Sequence, residues 1–366
     1  MSRNNGQTRV LVTGASGYLA THCVQQLLDD GYLVRGTVRN LSNTKKIKPL
    51  HELRHAKERL ELVEADLTQP ETWPNAVANC DYVLHVASPF PVVADDSVVK
   101  IAVDGTLNVL KACAKASSVK KIVLTSSCAS VNEGHDDENR IFNEDDWTDV
   151  NSPKVLPYSK SKTEAEKAAW DFVENGITVD ENHFKLTCLN PTLIVGPVLM
   201  DTQGTSITVV RRFMNNEMPA VPALQLALVD VRDVAKAHIS AMTNPKTDGQ
   251  RILVTAQPSY WFLDISKILA KEFRHQGYWL PKFQVPYPIL WVYSIFDSQA
   301  KQILERVNRK IRFDNSKAKE LLNMEFTNPE RSLIEMVYSM IERGILPKKS
   351  GYKPAQLDKE PHNSHL

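Results

Sequence analysis

The chain is 366 residues long, 42% hydrophobic and 24% charged, with 44 basic and 43 acidic side chains. A formal net charge of +1 leaves no global basic field to attract nucleic acid, and the composition is that of an ordinary soluble globular protein. The length allows two or three domain-sized units, or one large α/β domain carrying a lobe built from insertions.

The polar start, MSRNNGQTRV, lacks the apolar core of a signal peptide and runs straight into VLVTG, so export is not expected and a cytoplasmic location is. Cys23, Cys80, Cys113, Cys128 and Cys188 are scattered without a C-x-x-C pair, which argues against a zinc site or a disulfide framework and for a reducing compartment. The longest apolar run, YPILWVYSIF at 287–296, reaches only half of the roughly 20 residues that a membrane-spanning helix needs. It reads as a core or pocket segment.

Short apolar runs alternate with helical periodicity through the first half. Strands are predicted at 9–13, 33–38, 60–64, 82–87, 121–125 and 185–189, with helices at 18–29, 98–116 and 160–174 among them. This βαβ alternation predicts an α/β fold with a doubly wound parallel sheet, and VLV, YVLHVA and KIVLT have the continuous apolarity of strands covered on both faces. After Pro191 the pattern loosens. Prolines break up short elements, with helices at 231–242, 263–273 and 333–343 and a strand at 251–254. The predicted organisation is a nucleotide-binding domain over 8–190 with elements around 229–256 returning to it. A substrate-binding lobe would occupy 191–345, and the polar, proline-containing 346–366 would form a disordered tail.

The run Val10-Leu-Val-Thr-Gly14-Ala-Ser-Gly17-Tyr-Leu-Ala20 places a glycine-rich turn between the first strand and the first helix. Gly14 permits the tight turn, Gly17 lets the backbone approach a pyrophosphate, and Ala20 fills the helix-packing position with a small side chain. The helix N-terminus offers free N–H groups and a positive dipole end, so Gly14, Ser16, Gly17, Tyr18 and Leu19 are candidate cofactor contacts. A fold of this kind that binds NAD carries an acid about 20 residues further on. Here 31–51 contains no acid but has Arg35, Arg39, Lys45, Lys46 and Lys48, the charge that a 2′-phosphate wants, so NADP (as NADPH) is the expected cofactor. Asp66, after the third strand, is placed to accept from an adenine amino group or to cap a helix.

Tyr158-Ser-Lys-Ser-Lys162 sets a phenol and an ammonium four apart, on one helical face. A neighbouring cation lowers a phenol's pKa toward the working range of acid–base catalysis. Tyr278 and Lys282 repeat the spacing, but Pro281 breaks any helix between them, whereas KTEAEKAAW after Tyr158 is strongly helix-forming. Upstream, Ser126 and Ser127 end the fifth strand at the carboxyl edge, where such sheets bind ligands, and a hydroxyl there can stabilise charge on a carbonyl oxygen.

VTGASGYLA, ADL, HVASP, VLTSS, YSKSK and NPTLIVGP, in that order and spacing, resemble the extended short-chain dehydrogenases/reductases, with a Rossmann-like fold. TVR, HVASP and TSSCASVN are most similar to the branch of dihydroflavonol, cinnamoyl-CoA and fungal carbonyl (methylglyoxal) reductases. The resemblance covers roughly residues 8 to 345. It implies catalytic roles for Ser127, Tyr158 and Lys162, with Ser126 open as a partner in the first role. It also implies 2′-phosphate recognition by Arg39 and Lys46, and adenine contacts at Asp66 and Leu67. Val86, Ala87 and Ser88 would line the nicotinamide ribose, Pro191, Thr192, Leu193 and Ile194 would meet the nicotinamide, and Ser206 would add a contact from the following loop. The Asn-Trp-Tyr-Cys-Tyr signature of plant cinnamoyl-CoA reductases is replaced by Val155-Leu-Pro-Tyr158. Coenzyme A thioesters are therefore outside the expectation.

The expected activity is NADPH-dependent reduction of a hydrophobic aldehyde or ketone. The pocket wall is expected from Ser88-Pro-Phe90, 200–206 and the apolar 287–296. The same three residues would also serve a hydroxysteroid dehydrogenase or a sugar-nucleotide epimerase, and a non-catalytic NADP-binding redox sensor would keep the fold without needing them. No nucleic-acid partner and no membrane span are expected, and oligomeric state is left open.

Overall fold

The computed structural model describes residues 5–88, 97–137, 139–295 and 303–355. Its first half runs β1 (Arg9–Val12), α1 (Tyr18–Asp29), β2 (Leu33–Val38), α2 (Thr44–His51), α3 (Ala56–Arg59), β3 (Leu60–Glu64), α4 (Trp73–Val77), β4 (Tyr82–His85), α5 (Ser97–Ala114), β5 (Lys121–Thr125), α6 (Pro157–Asp171) and β6 (Lys185–Pro191). There follow β7 (Leu193–Val195), α7 (Thr205–Met214), β8 (Gln225–Leu226), β9 (Leu228–Asp230), α8 (Val231–Thr243), β10 (Gln250–Val254), β11 (Tyr260–Trp261), α9 (Phe262–Phe273), α10 (Tyr287–Ser294), α11 (Ser316–Leu322) and α12 (Pro329–Glu342).

Seven parallel strands form one sheet in the order β10-β6-β5-β4-β1-β2-β3, a Rossmann-like doubly wound topology whose direction of winding reverses between β1 and β4. The pleat sends successive residues of β1 to opposite faces. Val10 and Val12 join a core with α1, α8 and α11, whereas Leu11 joins a core with α4, α5 and α6. Both faces are thus covered, which is why the strands read as unbroken apolar runs.

The lobe packs separately around α7, α9 and α12, with Phe213, Phe273, Tyr278 and Leu280 at its centre. Two small strand pairs, β7 with β9 and β8 with β11, stitch it to the sheet. These strands are two or three residues long, too short to show a period, and the sequence reading missed them. It also missed α2, which contains Pro49.

Three expectations need correction. The strand predicted at 82–87 ends at His85, because the Val86 N–H turns back to Leu84 O (3.1 Å). The helix predicted from 160 starts at Pro157, where proline's missing N–H costs nothing. The segment expected to open a disordered tail is packed as far as 355: Leu346 is 1% exposed and Tyr352 stacks edge-on at 6.1 Å against Tyr338. Polar partners explain it, since Tyr278 Oη donates to Pro347 O (2.8 Å) and Lys353 N–H to Gln276 Oε1 (3.0 Å). Residues 356–366 lie outside the described set. Among the described residues no helix is long and apolar enough to cross a membrane.

Candidate active site

The carboxyl ends of β1, β2, β4, β5 and β6 converge on one edge of the sheet. There the glycine-rich turn is held by hydroxyls from neighbouring strands. The Gly14 N–H donates to Thr37 Oγ1 and the Ala15 N–H to Thr37 O, both at 2.9 Å. The Ala87 N–H donates to Thr13 Oγ1 at 2.9 Å, and that hydroxyl also pairs with His85 Nδ1 at 2.9 Å. Gly14 has a φ of +65°, and a Cβ on it would lie 3.1 Å from the Ala87 Cβ. Gly17 is the N-cap of α1 without any side-chain cap, and the first turn carries no acid. The first i→i−4 bond runs from Thr21 N–H to Gly17 O (2.9 Å), so the N–H groups of Tyr18 and Leu19 point outward unused. A narrow turn, bare amides and a helix dipole fit a pyrophosphate.

Ser16 and Tyr18 are tied to the chain that follows β7. Thr202 Oγ1 donates to Ser16 O (3.3 Å), drawing the 200–206 segment over the turn, and Tyr18 Oη is committed to Gly196 O (2.6 Å). Gly36 is a residue the sequence reading overlooked. A Cβ there would lie 2.7 Å from the Ala15 Cβ and 3.0 Å from Leu62 Cδ2, so β2 can pass the turn only as glycine. Its signal was a glycine inside the otherwise β-forming LVRGTV.

The cationic stretch divides. Arg35 is buried and spent on Glu61 (3.0 Å) and on the carbonyls of Asn75, Ala76 and Ala78. Arg39 is exposed just past β2, and Lys45 and Lys46 are exposed on α2. Asp66 Oδ1 accepts from Thr68 N–H (2.8 Å) and Oγ1 (2.6 Å). Those bonds, and after them the charge of Arg39, hold its carboxyl below the usual range. Arg39 and Asp66 therefore share one electrostatic environment, beside Leu67, whose carbonyl accepts from Asn108 Nδ2 (2.8 Å).

Beyond β5, Ser127 caps a short turn (Cys128–Ser130), and its Oγ accepts from Ala129 N–H (3.1 Å). Tyr158 lies in the first turn of α6, near enough to Ser127 for that hydroxyl to act on its phenol. Lys162, one turn later, donates from Nζ to Ser88 Oγ (3.1 Å). Val86, Ala87 and Ser88 thus stand between the glycine-rich turn and Lys162. Pro191 closes β6 opposite Val254, Thr192 Oγ1 donates to Thr255 Oγ1 (3.1 Å), and Leu193 and Ile194 open β7, half-buried. Ser206 lies in the first turn of α7, 8% exposed.

Ser126 is corrected. It is 6% exposed and donates its hydroxyl to Glu166 Oε2 (2.5 Å), behind the strand end, so its side chain is not offered to a ligand. The Tyr158 pKa is also not lowered as the Lys162 spacing predicted. Burial of the hydroxyl raises it, against a lowering contribution from Ser127, while Lys162 itself is pulled down to about 8 by desolvation, which Glu166 partly offsets. The cation that acts on Tyr158 is Arg306, which is paired with Glu133 at 2.6 Å. The second Tyr/Lys spacing separates as its proline predicted: Tyr278 is 1% exposed in the lobe core and Lys282 is exposed. Of the expected pocket wall, Pro89, Phe90 and Phe296 lie outside the described residues, and the 287–295 run expected in a core or pocket is corrected: Tyr287, Ile289, Trp291, Val292 and Ile295 are exposed.

A nucleotide cradle beside a serine, a tyrosine and a half-buried lysine is the arrangement of the NAD(P)-binding oxidoreductases. A model of the NAD dependent epimerase/dehydratase family matches residues 10–255, more than half of the chain. Cinnamoyl-CoA reductase CAD2 of Medicago truncatula is 34% identical over 94% of this chain and 98% of its own. Dihydroflavonol 4-reductase of Arabidopsis thaliana is 33% identical over 94% of this chain and 85% of its own. The crystal structure of yeast methylglyoxal/isovaleraldehyde reductase Gre2, complexed with NADPH, matches with a TM-score of 0.77 at 29% identity, over 92% of this chain and 98% of that one. The chain belongs to the NAD dependent epimerase/dehydratase family, in its extended short-chain dehydrogenase/reductase branch, and is an NADP-dependent oxidoreductase.

Proposed function

We propose that the protein reduces an aldehyde or ketone with a hydrophobic body, and that Ser127, Tyr158 and Lys162 carry the reaction. The observation that supports this reading is the placement of Ser127 just past β5 beside Tyr158 and Lys162 on α6, with Lys162 Nζ donating to Ser88 Oγ (3.1 Å) next to the glycine-rich turn. The cofactor is NADPH: amides of the 14–19 turn take the pyrophosphate, and Arg39 and Lys46 take the 2′-phosphate. When bound, it supplies the hydride that the carbonyl carbon receives. Ser127 and Tyr158 hold the carbonyl oxygen and stabilise the charge that builds on it. The Tyr158 phenol, 37% exposed and with its pKa raised rather than lowered, carries the proton that this oxygen needs and donates it. Lys162, close enough to Ser88 to bond it, presents a positive charge to the ribose and the developing alkoxide.

Arg306, the guanidinium whose charge reaches Tyr158, is already neutralised by Glu133, which disfavours a substrate diphosphate and with it a sugar-nucleotide epimerase. The test is Tyr158→Phe with a panel of aryl aldehydes, following NADPH oxidation. A kcat loss of about 10²- to 10⁴-fold with NADPH binding retained is expected. Undiminished turnover would refute the assignment.

A further inference from the structure

One carboxylate ties the catalytic corner to the sheet behind it. Glu166 lies on α6 one turn after Lys162 and is 1% exposed. Its Oε2 accepts from the hydroxyls of Ser126 (2.5 Å) and Ser130 (2.6 Å) and from Asn190 Nδ2 (2.8 Å). Its Oε1 accepts from Arg251 Nε (2.6 Å). The four donors come from the residue after β5, the following turn, β6 and β10. Arg251 is pinned in turn: Nη1 donates to the carbonyls of Glu144 (2.6 Å) and Asp146 (2.8 Å), and its guanidinium stands 3.5 Å from the Trp147 ring centroid.

Ser127 sits inside this network without touching Glu166. Its carbonyl accepts from Ser130 N–H (3.0 Å) and Asn190 Nδ2 (3.3 Å), while the single Ser130 hydroxyl proton goes to Glu166. The two residues that grip the Ser127 peptide are thus two whose side chains Glu166 grips from behind. Taking a carboxylate out of water is unfavourable, and a fold that needed stability alone could fill the space with apolar side chains. Only an ionised carboxylate offers lone pairs to four donors without bringing a donor of its own. Glutamine in the same place would turn an N–H₂ toward one of them.

We propose that Glu166 is a positioning residue: held by Arg251, it clamps the Ser126–Ser130 turn through Ser130 and Asn190 and so aims the Ser127 hydroxyl at the carbonyl oxygen. The proposal rests on the reductase reading, and its test has one arm that does not. Glu166→Gln is expected to lower kcat about 10- to 100-fold, the cost of a misplaced reacting group, with the KM for NADPH within about threefold of wild type. The second arm is alkylation of Cys128 by iodoacetamide, followed by mass spectrometry without cofactor. Cys128 is half-buried in the clamped turn with its thiol pushed up to about 12 by burial, so the wild type reacts slowly. A loosened turn in Glu166→Gln should react at least about tenfold faster.

A folded Glu166→Gln with wild-type kcat and wild-type alkylation overturns the proposal. If that variant fails to fold because Arg251 is left unpaired, Ser130→Ala removes the link and keeps the charge pair. Lower kcat and faster alkylation in Ser130→Ala support the clamp; wild-type values of both overturn it. If the wild type reduces no aldehyde or ketone, the reductase reading falls and the alkylation rates alone decide the clamp.

Discussion

Among the described residues three histidines are buried with no carboxylate bonded to the ring, and their titration makes the fold sensitive to acid. His22, His85 and His238 are 5%, 1% and 0% exposed. Desolvation pulls His22 and His238 down to about 4 and His85 to about 3. His238 Nδ1 donates to Val234 O (2.7 Å), so its Nε2 accepts from Thr125 Oγ1 (2.6 Å), a pairing that only the neutral ring can make. In the unfolded chain each ring titrates near 6.5. Between about pH 6.5 and the folded value the unfolded state binds more protons, so stability falls as pH falls through that window. At pH 5 each ring costs about 2 kcal/mol, or about 6 kcal/mol for the three, an amount comparable to the whole stability of many domains. Glu144 and Asp233, raised by burial, work in the opposite sense, so a single-site variant carries the test. His238→Asn keeps a donor for Val234 O and removes the titration. The difference in unfolding free energy between pH 7 and pH 5, from urea melts, should shrink by about 2 kcal/mol in His238→Asn relative to wild type. An unchanged difference would show that the ring does not titrate as its burial requires.

Two further predictions concern the cofactor edge. Arg39→Ala/Lys46→Ala should raise the KM for NADPH about 10- to 100-fold through lost charge-assisted bonds and leave that for NADH within about threefold; equal effects on both cofactors would place the 2′-phosphate elsewhere. Gly36→Ala inserts a Cβ 2.7 Å from that of Ala15 and should cost about 1–3 kcal/mol in thermal unfolding while weakening NADPH fluorescence binding. A melting temperature equal to wild type would mean that β2 and the turn are not in the contact described.

The sheet was legible because buried parallel strands leave an unmistakable apolar record, and the candidate reactive residues stood out because Ser127 follows a strand end and Tyr158 and Lys162 share a helical face. Tyr158 and Lys162 could be told from Tyr278 and Lys282 by one proline. The five cations of 31–51 could not be told apart. Arg35 and Arg39 look alike in the sequence, yet Arg35 is turned into the carbonyls that end α4, a tertiary partner 40 or more residues away. The short strands of the lobe escaped because two or three residues cannot show a period. The packed 346–355 escaped because its partners, Gln276, Tyr278 and Tyr338, are distant in the chain.

The groups that hold the reactive ones in place were the least legible part of the site, for a physical reason. Thr13, Thr37, His85, Glu166 and Arg251 each act through a partner 20 or more residues away, so no local spacing betrays them. In the sequence Glu166 is one helix-forming glutamate in KTEAEKAAW, indistinguishable from its neighbour Glu164. Helical geometry separates them: four residues after Lys162 a side chain returns to the face that carries the lysine, whereas two residues after it points roughly to the opposite side. An acid at that spacing must be buried whenever the lysine faces a closed site, and a buried acid must find donors. The Ser126 hydroxyl of VLTSS, the Ser130 hydroxyl of the turn after it and the asparagine of LNP supply them, with Arg251 of β10. Reading the spacing of a charged helical residue against the strand ends that its face will meet, rather than against the helix alone, is what would have brought Glu166 into view.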